Sequence, residues 1–191
     1  TASADPSTPR TRGFDATAMR HAIGIAMSRS KRDIPHYYLS EQVTLKPALT
    51  WLAAHNATVP VSARVLPAVL LLKASALALT RHPAFNGHFI DDNFRPAQAV
   101  HVGWAIALRG GGLIAPAMRD VAERGLGDLM QALRDLVQRA RGGGLRGSEL
   151  TSATVTVTSQ GERGAEAVWP IIHPPQVAML GFGRIVDRPW V

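Results

Sequence analysis

The stretch from Ser152 to Ser159 carries hydroxyls at Ser152, Thr154, Thr156, Thr158 and Ser159. Threonine favours strands on packing grounds alone, so the stretch reads first as β structure. A hydroxyl at the end of such a strand is also placed to donate a hydrogen bond to a developing oxyanion. The imidazoles are His21, His36, His55, His82, His88, His101 and His173. None forms a His-Glu-x-x-His pair or another tight ligand spacing, so no metal is expected. His36 and His173 each adjoin a proline at an element boundary, where an imidazole ordinarily serves structure. Ser28-Arg29-Ser30-Lys31 matches Ser-x-x-Lys, but the companion motifs of enzymes that acylate such a serine are missing. Gly181-Phe182-Gly183 has no helix after it and makes a poor dinucleotide loop. Two Arg-Gly-Gly-Gly runs, from Arg109 and Arg141, read as a hairpin turn and a helix stop. The chain has no cysteine, which excludes disulfides, thiolate metal sites and a cysteine nucleophile.

These residues must be held by elements whose signals are local. Residues 1–13 are small, polar and proline-bearing, and read as a flexible linker. A helix follows, with Asp15 or Thr17 as its cap and Met19, Ala22, Ile23, Ala26 and Met27 along one face. Pro35 ends it, and His36 to Leu45 reads as a strand. Pro47 opens a second helix, with Leu49, Leu52 and Ala53 as its face; Asn56 to Arg64 reads as a loop. Pro67 opens and Pro83 closes a third helix, apolar nearly all round and therefore buried on most sides. Phe85 to Pro96 reads as a loop with room for a short hairpin. Val100 to Leu108 alternates cleanly, turns at Arg109–Gly112, and returns from Leu113 to Met118. Leu126 to Ala140 forms the best amphipathic helix, stopped by Gly142-Gly143-Gly144. Thr154–Thr158 and Gln176–Phe182 are further strands. Strands and helices do not alternate regularly, which argues against a doubly wound sheet.

The 191 residues suit one domain with a sizeable core. Apolar residues make up 46% but aromatics only 6%, so Leu, Val, Ile and Ala must build that core. The net charge of +7 permits an anionic ligand. Arg29, Lys31 and Arg32 cluster without interleaved aromatics, so a nucleic-acid surface is not expected. The apolar run Leu66–Leu79 falls short of the ~20 residues of a membrane span, and no signal peptide is visible. Asn56-Ala57-Thr58 matches a glycosylation acceptor, taken as chance. A cytoplasmic location fits all of this.

Four segments, taken in order, carry a resemblance: MRHAIGIAMSRSKRDIPHYYL from Met19, VHVGWAIALRGGGLIAPAMRD from Val100, TVTVTSQGERG from Thr154, and PIIHPPQVAMLGFG from Pro170. Together they resemble the catalytic core of the dihydrolipoamide acyltransferases of 2-oxo acid dehydrogenase complexes, over residues 14–191. Met19-Arg20, Ser30-Lys31 and Ile34-Pro35-His36 match the opening helix and strand, Lys73-Ala74 the buried helix, Val100–Gly103 and Gly112–Ile114 the hairpin, and Pro174-Pro175-Gln176 the family's Asn-Pro-Pro-Gln turn. The resemblance implies an α/β fold of the α+β type: a chloramphenicol-acetyltransferase-like mixed sheet flanked by helices. It also implies homotrimers built into cubic or dodecahedral cores, with decarboxylase and dihydrolipoamide dehydrogenase components and a lipoyl domain as partners.

The implied reaction moves an acyl group between an S-acyl-dihydrolipoyl arm and coenzyme A. An imidazole deprotonates the attacking thiol, and a hydroxyl stabilises the tetrahedral oxyanion. Thr158 falls where the family's Thr-Ile-Ser-Asn has its serine, with Ser159 its understudy. Arg20 and Lys73 are candidates for coenzyme A contact, or equally for capping carbonyls and pairing within the trimer. His173 stands for the family's asparagine. The family's Asp-His-Arg-x-x-Asp-Gly motif does not occur among these residues, and the core is expected to lack its C-terminal segment. Rival readings are a non-catalytic scaffold of the same fold, a free-standing small-molecule acetyltransferase, and a basic nucleic-acid-binding domain.

Overall fold

The computed structural model describes residues 16–108, 111–162 and 164–189. The expected linker at 1–13, the Asp15 cap and the Arg109-Gly110 part of the turn lie outside the described residues.

The centre of the fold is a four-stranded mixed sheet. Its strands are β3 (Val102–Trp104), β6 (Ala117–Met118), β7 (Val155–Ser159) and β8 (Met179–Phe182), in the order β6-β3-β7-β8. β3 pairs antiparallel with β6 and parallel with β7, and β7 pairs parallel with β8. The period of two gives this sheet two different faces. On one, Val102, Trp104, Val155 and Val157 meet the helices in a single buried cluster. Val69, Leu72, Ala76 and Leu79 come from α3 (Pro67–Arg81), and Leu129, Met130, Leu133, Leu136 and Ala140 from α4 (Leu126–Gly142). Burying a side chain of this size contributes about 1.5–3 kcal/mol, so this cluster is the main source of stability. The segment Val61–Arg81 is apolar enough by composition to cross a membrane, but Val65, Val69, Leu72, Ala76 and Leu79 of it are buried in this core.

Several local signals operate as the sequence suggested. Pro67 sits at the start of α3, and Pro47 at the start of α2 (Lys46–Thr58). Gly143 takes a left-handed φ of 76° after α4, and the Gly144 N–H returns to the Arg139 carbonyl at 2.9 Å. The alternating pair around the glycine turn is a broken hairpin. β4 (Ile106–Ala107) and β5 (Leu113–Ile114) continue β3 and β6 as a separate two-stranded ladder. Gly111 and Gly112, both at φ near 100°, make the tight return.

Other expectations are corrected. His36 to Leu45 forms no strand, because none of the strands among the described residues pairs with it. The expected loop at Asn56–Arg64 instead holds the end of α2 and a 3-10 turn at Val61–Ala63. Asn56 explains this: its amide takes the Val65 N–H and donates to the Val65 carbonyl, both at 2.9 Å, closing the loop onto the helix. The short hairpin for which the Phe85–Pro96 region left room is present, β1 (Gly87–Ile90) with β2 (Asn93–Pro96). α3 is less enclosed than its composition suggested, with Ala74, Leu77 and Ala78 exposed.

A partly buried ion pair fixes the short helix α5 (Gly147–Thr151) to α4. Arg139 grips Glu149 with two hydrogen bonds, 2.6 and 2.8 Å, and its Nε bonds Asp135 at 2.8 Å. The Glu149 carboxylate also accepts the Arg146 N–H at 2.8 Å. These bonds, the Arg139 pair foremost, pull the Glu149 carboxyl down to about 2. A carboxylate depressed in the folded state stabilises above its unfolded value of ~4.3, and that stability is lost as pH falls through the folded value. Glu149→Gln is therefore expected to cost about 1–3 kcal/mol at neutral pH. The deficit should shrink steadily between pH ~5 and ~2, as read by urea melts of both proteins across that range.

Candidate active site

The second face of the central sheet carries the hydroxyls. Thr154, Thr156 and Thr158 project there in a row, and the first two are committed. The buried Thr154 hydroxyl donates to Asn86 Oδ1 at 2.6 Å and accepts the His101 N–H at 3.0 Å. The buried Thr156 hydroxyl donates to Gln176 Oε1 at 2.8 Å. Gln176 in turn donates to the Ala153 carbonyl at 3.3 Å, beside His88 Nε2 at 3.0 Å. Gly103 on β3 makes this close assembly possible, since a Cβ there would come within 3.1 Å of the Thr156 hydroxyl and 3.0 Å of the Ala115 carbonyl.

Thr158 differs. It is half-buried at the end of β7, opposite Gly181 of β8, and its hydroxyl has no hydrogen-bond partner among the described residues. Its neighbour Ser159 points to the opposite face of the strand, and its Oγ accepts the Gly161 N–H at 3.3 Å. The row thus ends in one uncommitted donor. Over that face runs the segment before β8. A Cβ on Gly181 would meet Val168 at 2.8 Å and Pro170 at 3.2 Å, so Gly181 lets this segment pass directly over the strand beside Thr158.

The same segment is held from its other side by α1 (Ala16–Asp33). The fully buried Ser30 donates its hydroxyl to the Ile172 carbonyl at 2.5 Å. The Ile172 N–H donates to His36 Nε2 at 3.0 Å, while His36 Nδ1 lies 2.9 Å from the Ile34 carbonyl. A carbonyl can only accept, so the His36 proton sits on Nδ1 and Nε2 is an acceptor. Ile172 is thus held at both its N–H and its carbonyl, two residues before the cis Pro174–Pro175 bond.

The remaining candidates fall elsewhere. The Lys73 ammonium donates to the Ala122 and Arg124 carbonyls at 2.6 and 2.8 Å, holding the turn after β6. Arg20 lies exposed against the glycine turn: a Cβ on Gly111 would come to 3.2 Å from its Nη2. Among the described residues, neither shares a hydrogen bond with the Thr158 region. His173 is exposed, with Nδ1 2.9 Å from the Pro174 carbonyl, which places the proton there and leaves Nε2 as a free lone pair. His101 Nδ1 accepts the Asp120 N–H at 3.2 Å. Arg29 and Arg32 of the basic cluster share Asp33. Asn86, Gln176 and Gly103 were not singled out as site-building residues by their spacing. The motif matches touched two of them, Gly103 in Val100–Gly103 and Gln176 in Pro174-Pro175-Gln176.

The central mixed sheet thus carries helices on one face and, on the other, a row of threonines that ends in the unbonded Thr158. The chain belongs to the 2-oxoacid dehydrogenase acyltransferase (catalytic domain) family, whose model matches residues 9–191. It is 30% identical over 174 residues to the dihydrolipoyllysine-residue acetyltransferase component of the pyruvate dehydrogenase complex of Zymomonas mobilis. That match covers 91% of this chain but 39% of the relative, so the chain spans about two fifths of that protein's length. Among solved structures it resembles the dihydrolipoamide acetyltransferase of Azotobacter vinelandii, with a TM-score of 0.84 at 24% identity, over 100% of this chain and 81% of that one. The cubic core of a pyruvate dehydrogenase multienzyme complex superposes equally well, with the same score, identity and coverage. The fold implied by the sequence motifs is therefore the fold observed.

Ser30→Ala would leave the Ile172 carbonyl without its donor. The expected cost is about 1–3 kcal/mol, a fall in Tm of roughly 2–10 °C for a chain of this size. Calorimetry of the variant checks it, and an unchanged Tm would mean that the α1 clamp carries no stability.

Proposed function

We propose that this chain is the core acyltransferase of a 2-oxo acid dehydrogenase complex, its core domain taken from residue 14 onward. Its reaction moves an acyl group between S-acyl-dihydrolipoyllysine and coenzyme A, both substrates arriving at the β7 end. The family membership supports the reaction class. The observation that assigns a residue is the uncommitted hydroxyl of Thr158, in a row whose other threonines are bonded.

The chemistry needs a thiolate, a thioester and a donor for the oxyanion. An imidazole base takes the thiol proton; the sulfur attacks the acyl carbonyl, and the carbonyl oxygen gains the negative charge. Thr158 donates to that oxygen, and collapse of the intermediate expels the other sulfur, which takes the proton back. A donor fixed by a strand needs little reorganisation as the charge develops. Ser159 is the weaker candidate, because it faces the other side of β7 and already accepts a backbone N–H. Lys73 serves as a carbonyl clamp in this reading, and Arg20 remains the cation available to a phosphate of coenzyme A. The assembly is a homotrimer within a larger cytoplasmic core, loaded by a decarboxylase component through a lipoyl domain.

Thr158→Val removes the donor and keeps the shape. In an acyl-dihydrolipoamide to coenzyme A assay, kcat is expected to fall about 10²–10³-fold, while Thr158→Ser keeps activity near the parent level. Equal rates for the valine variant and the parent would remove Thr158 from the mechanism. His173→Ala belongs in the same assay, because the free Nε2 makes it the imidazole to test as base.

A further inference from the structure

Gly181 lies opposite Thr158 in the parallel pairing of β8 with β7. Paired positions on neighbouring strands face the same side of a sheet, about 4.8 Å apart. The side-chain space that Gly181 leaves open therefore lies on the threonine face, beside Thr158. Val168 and Pro170 enter it. A Cβ on Gly181 would meet Val168 Cγ1 at 2.8 Å and Pro170 Cδ at 3.2 Å. Val168 thus stands within roughly 8 Å of the Thr158 side chain, on the face toward which that hydroxyl projects.

Val168 is held there from both directions along the chain. Upstream, the Ala165 carbonyl accepts the Arg184 N–H at 2.9 Å, and the Glu166 carboxylate pairs with Arg184 at 3.1 Å and with Arg188. A Cβ on Gly183 would collide with the Glu166 carbonyl, so this part of the segment lies directly against the chain leaving β8. Downstream, Trp169 meets Tyr38 edge-on at 5.6 Å, and Ser30 and His36 hold Ile172. Val168 itself is half-buried: part of it covers Gly181, and part stays open to a ligand. It can neither donate nor accept a hydrogen bond, so it offers shape alone. Its β-branch restricts χ1, so the wall does not fold away.

We propose that Val168 limits the size of the acyl group transferred at Thr158, admitting short unbranched acyl groups and excluding branched ones. An acyl substituent is attached to the same carbon whose oxygen Thr158 would bond, which brings it against this wall. The assignment rests on the acyl-transfer reading of Thr158 and goes beyond it by naming the substrate class.

Acetyl- and isobutyryl-dihydrolipoamide are to be compared as donors to coenzyme A with the 191-residue chain, as a ratio of kcat/KM. The parent is expected to favour acetyl. Val168→Ala should shift the ratio toward isobutyryl about tenfold or more, the scale of a methyl group or two in a pocket. Val168→Ile, which adds a methyl, should shift it the other way and covers a failure of the alanine variant to fold. Val168→Thr, nearly the same shape, should hold the parent ratio. Calorimetric titration of each thioester without coenzyme A makes the same comparison from affinities, so the test does not depend on turnover. Loss of turnover in Thr158→Val beside an unchanged ratio in folded Val168→Ala and Val168→Ile would overturn the wall and leave the donor standing. A threonine variant that shifts the ratio as alanine does would overturn it too, because polarity rather than volume would be at work. A parent that neither binds nor turns over either thioester would overturn the wall and the donor together.

Discussion

The parallel pairing of β3 with β7 is the constraint from which the rest of this structure follows. Valines at 155 and 157 require an apolar cover, and α3 and α4 supply it in one cluster with Val102 and Trp104. The strand's period of two then forces Thr154 and Thr156 onto the other face, out of reach of that cover. Buried hydroxyls there must find partners, because an unsatisfied one costs roughly 1–3 kcal/mol. Asn86 and Gln176 meet that need, and in doing so they draw the β1 hairpin and the approach to β8 onto the sheet. A strand that is valine on one side and threonine on the other thus organises both layers.

Much of this was legible in the chain, and the limits are physical. Helix starts at Pro47 and Pro67 and the stop at Gly143 depend on a residue's own backbone preferences, which sequence displays directly. The amphipathic period of α4 is similarly self-contained. The His36–Leu45 stretch failed as a strand for the opposite reason. Its residues suit β structure, but a strand exists only when another backbone offers its hydrogen bonds, and composition does not carry that information. Asn56 shows a related limit, since its hold on Val65 spans nine residues and turns an apparent loop into a helix end. At the candidate site, Thr158 was reached through the motif alone. What distinguishes it from Thr154 and Thr156 is the absence of a partner, and partners such as Asn86 lie far away in the sequence.

The motif residues divide by what they touch. Ser30, His36 and Lys73 all look chemical as residue types, and all three are occupied with backbone groups. They resemble one another in a further way: each grips a segment without secondary structure that would otherwise leave carbonyls or amides unpaired near the core. Ser30 and His36 secure the strand-less stretch before the cis bond, and Lys73 secures the turn after β6. A catalytic core with short strands needs such grips, because its ladders alone are too brief to hold its connections. Family motifs of this kind therefore report the cost of irregular backbone as much as they report chemistry.

Threonine at 158 has its own consequence. A β-branched side chain in a strand has restricted χ1 freedom, so its hydroxyl loses less on being fixed than that of a serine would. Val168 and Pro170 crowd over Gly181, the residue paired with Thr158 on the neighbouring strand. A hydroxyl proposed as an oxyanion donor gains from being held in fewer orientations, the condition under which one hydrogen bond contributes most to a charged intermediate. In the proposed reaction, the extra methyl would also take room from the acyl group. A chain with threonine here should favour compact acyl groups over branched ones, for reasons of volume rather than charge.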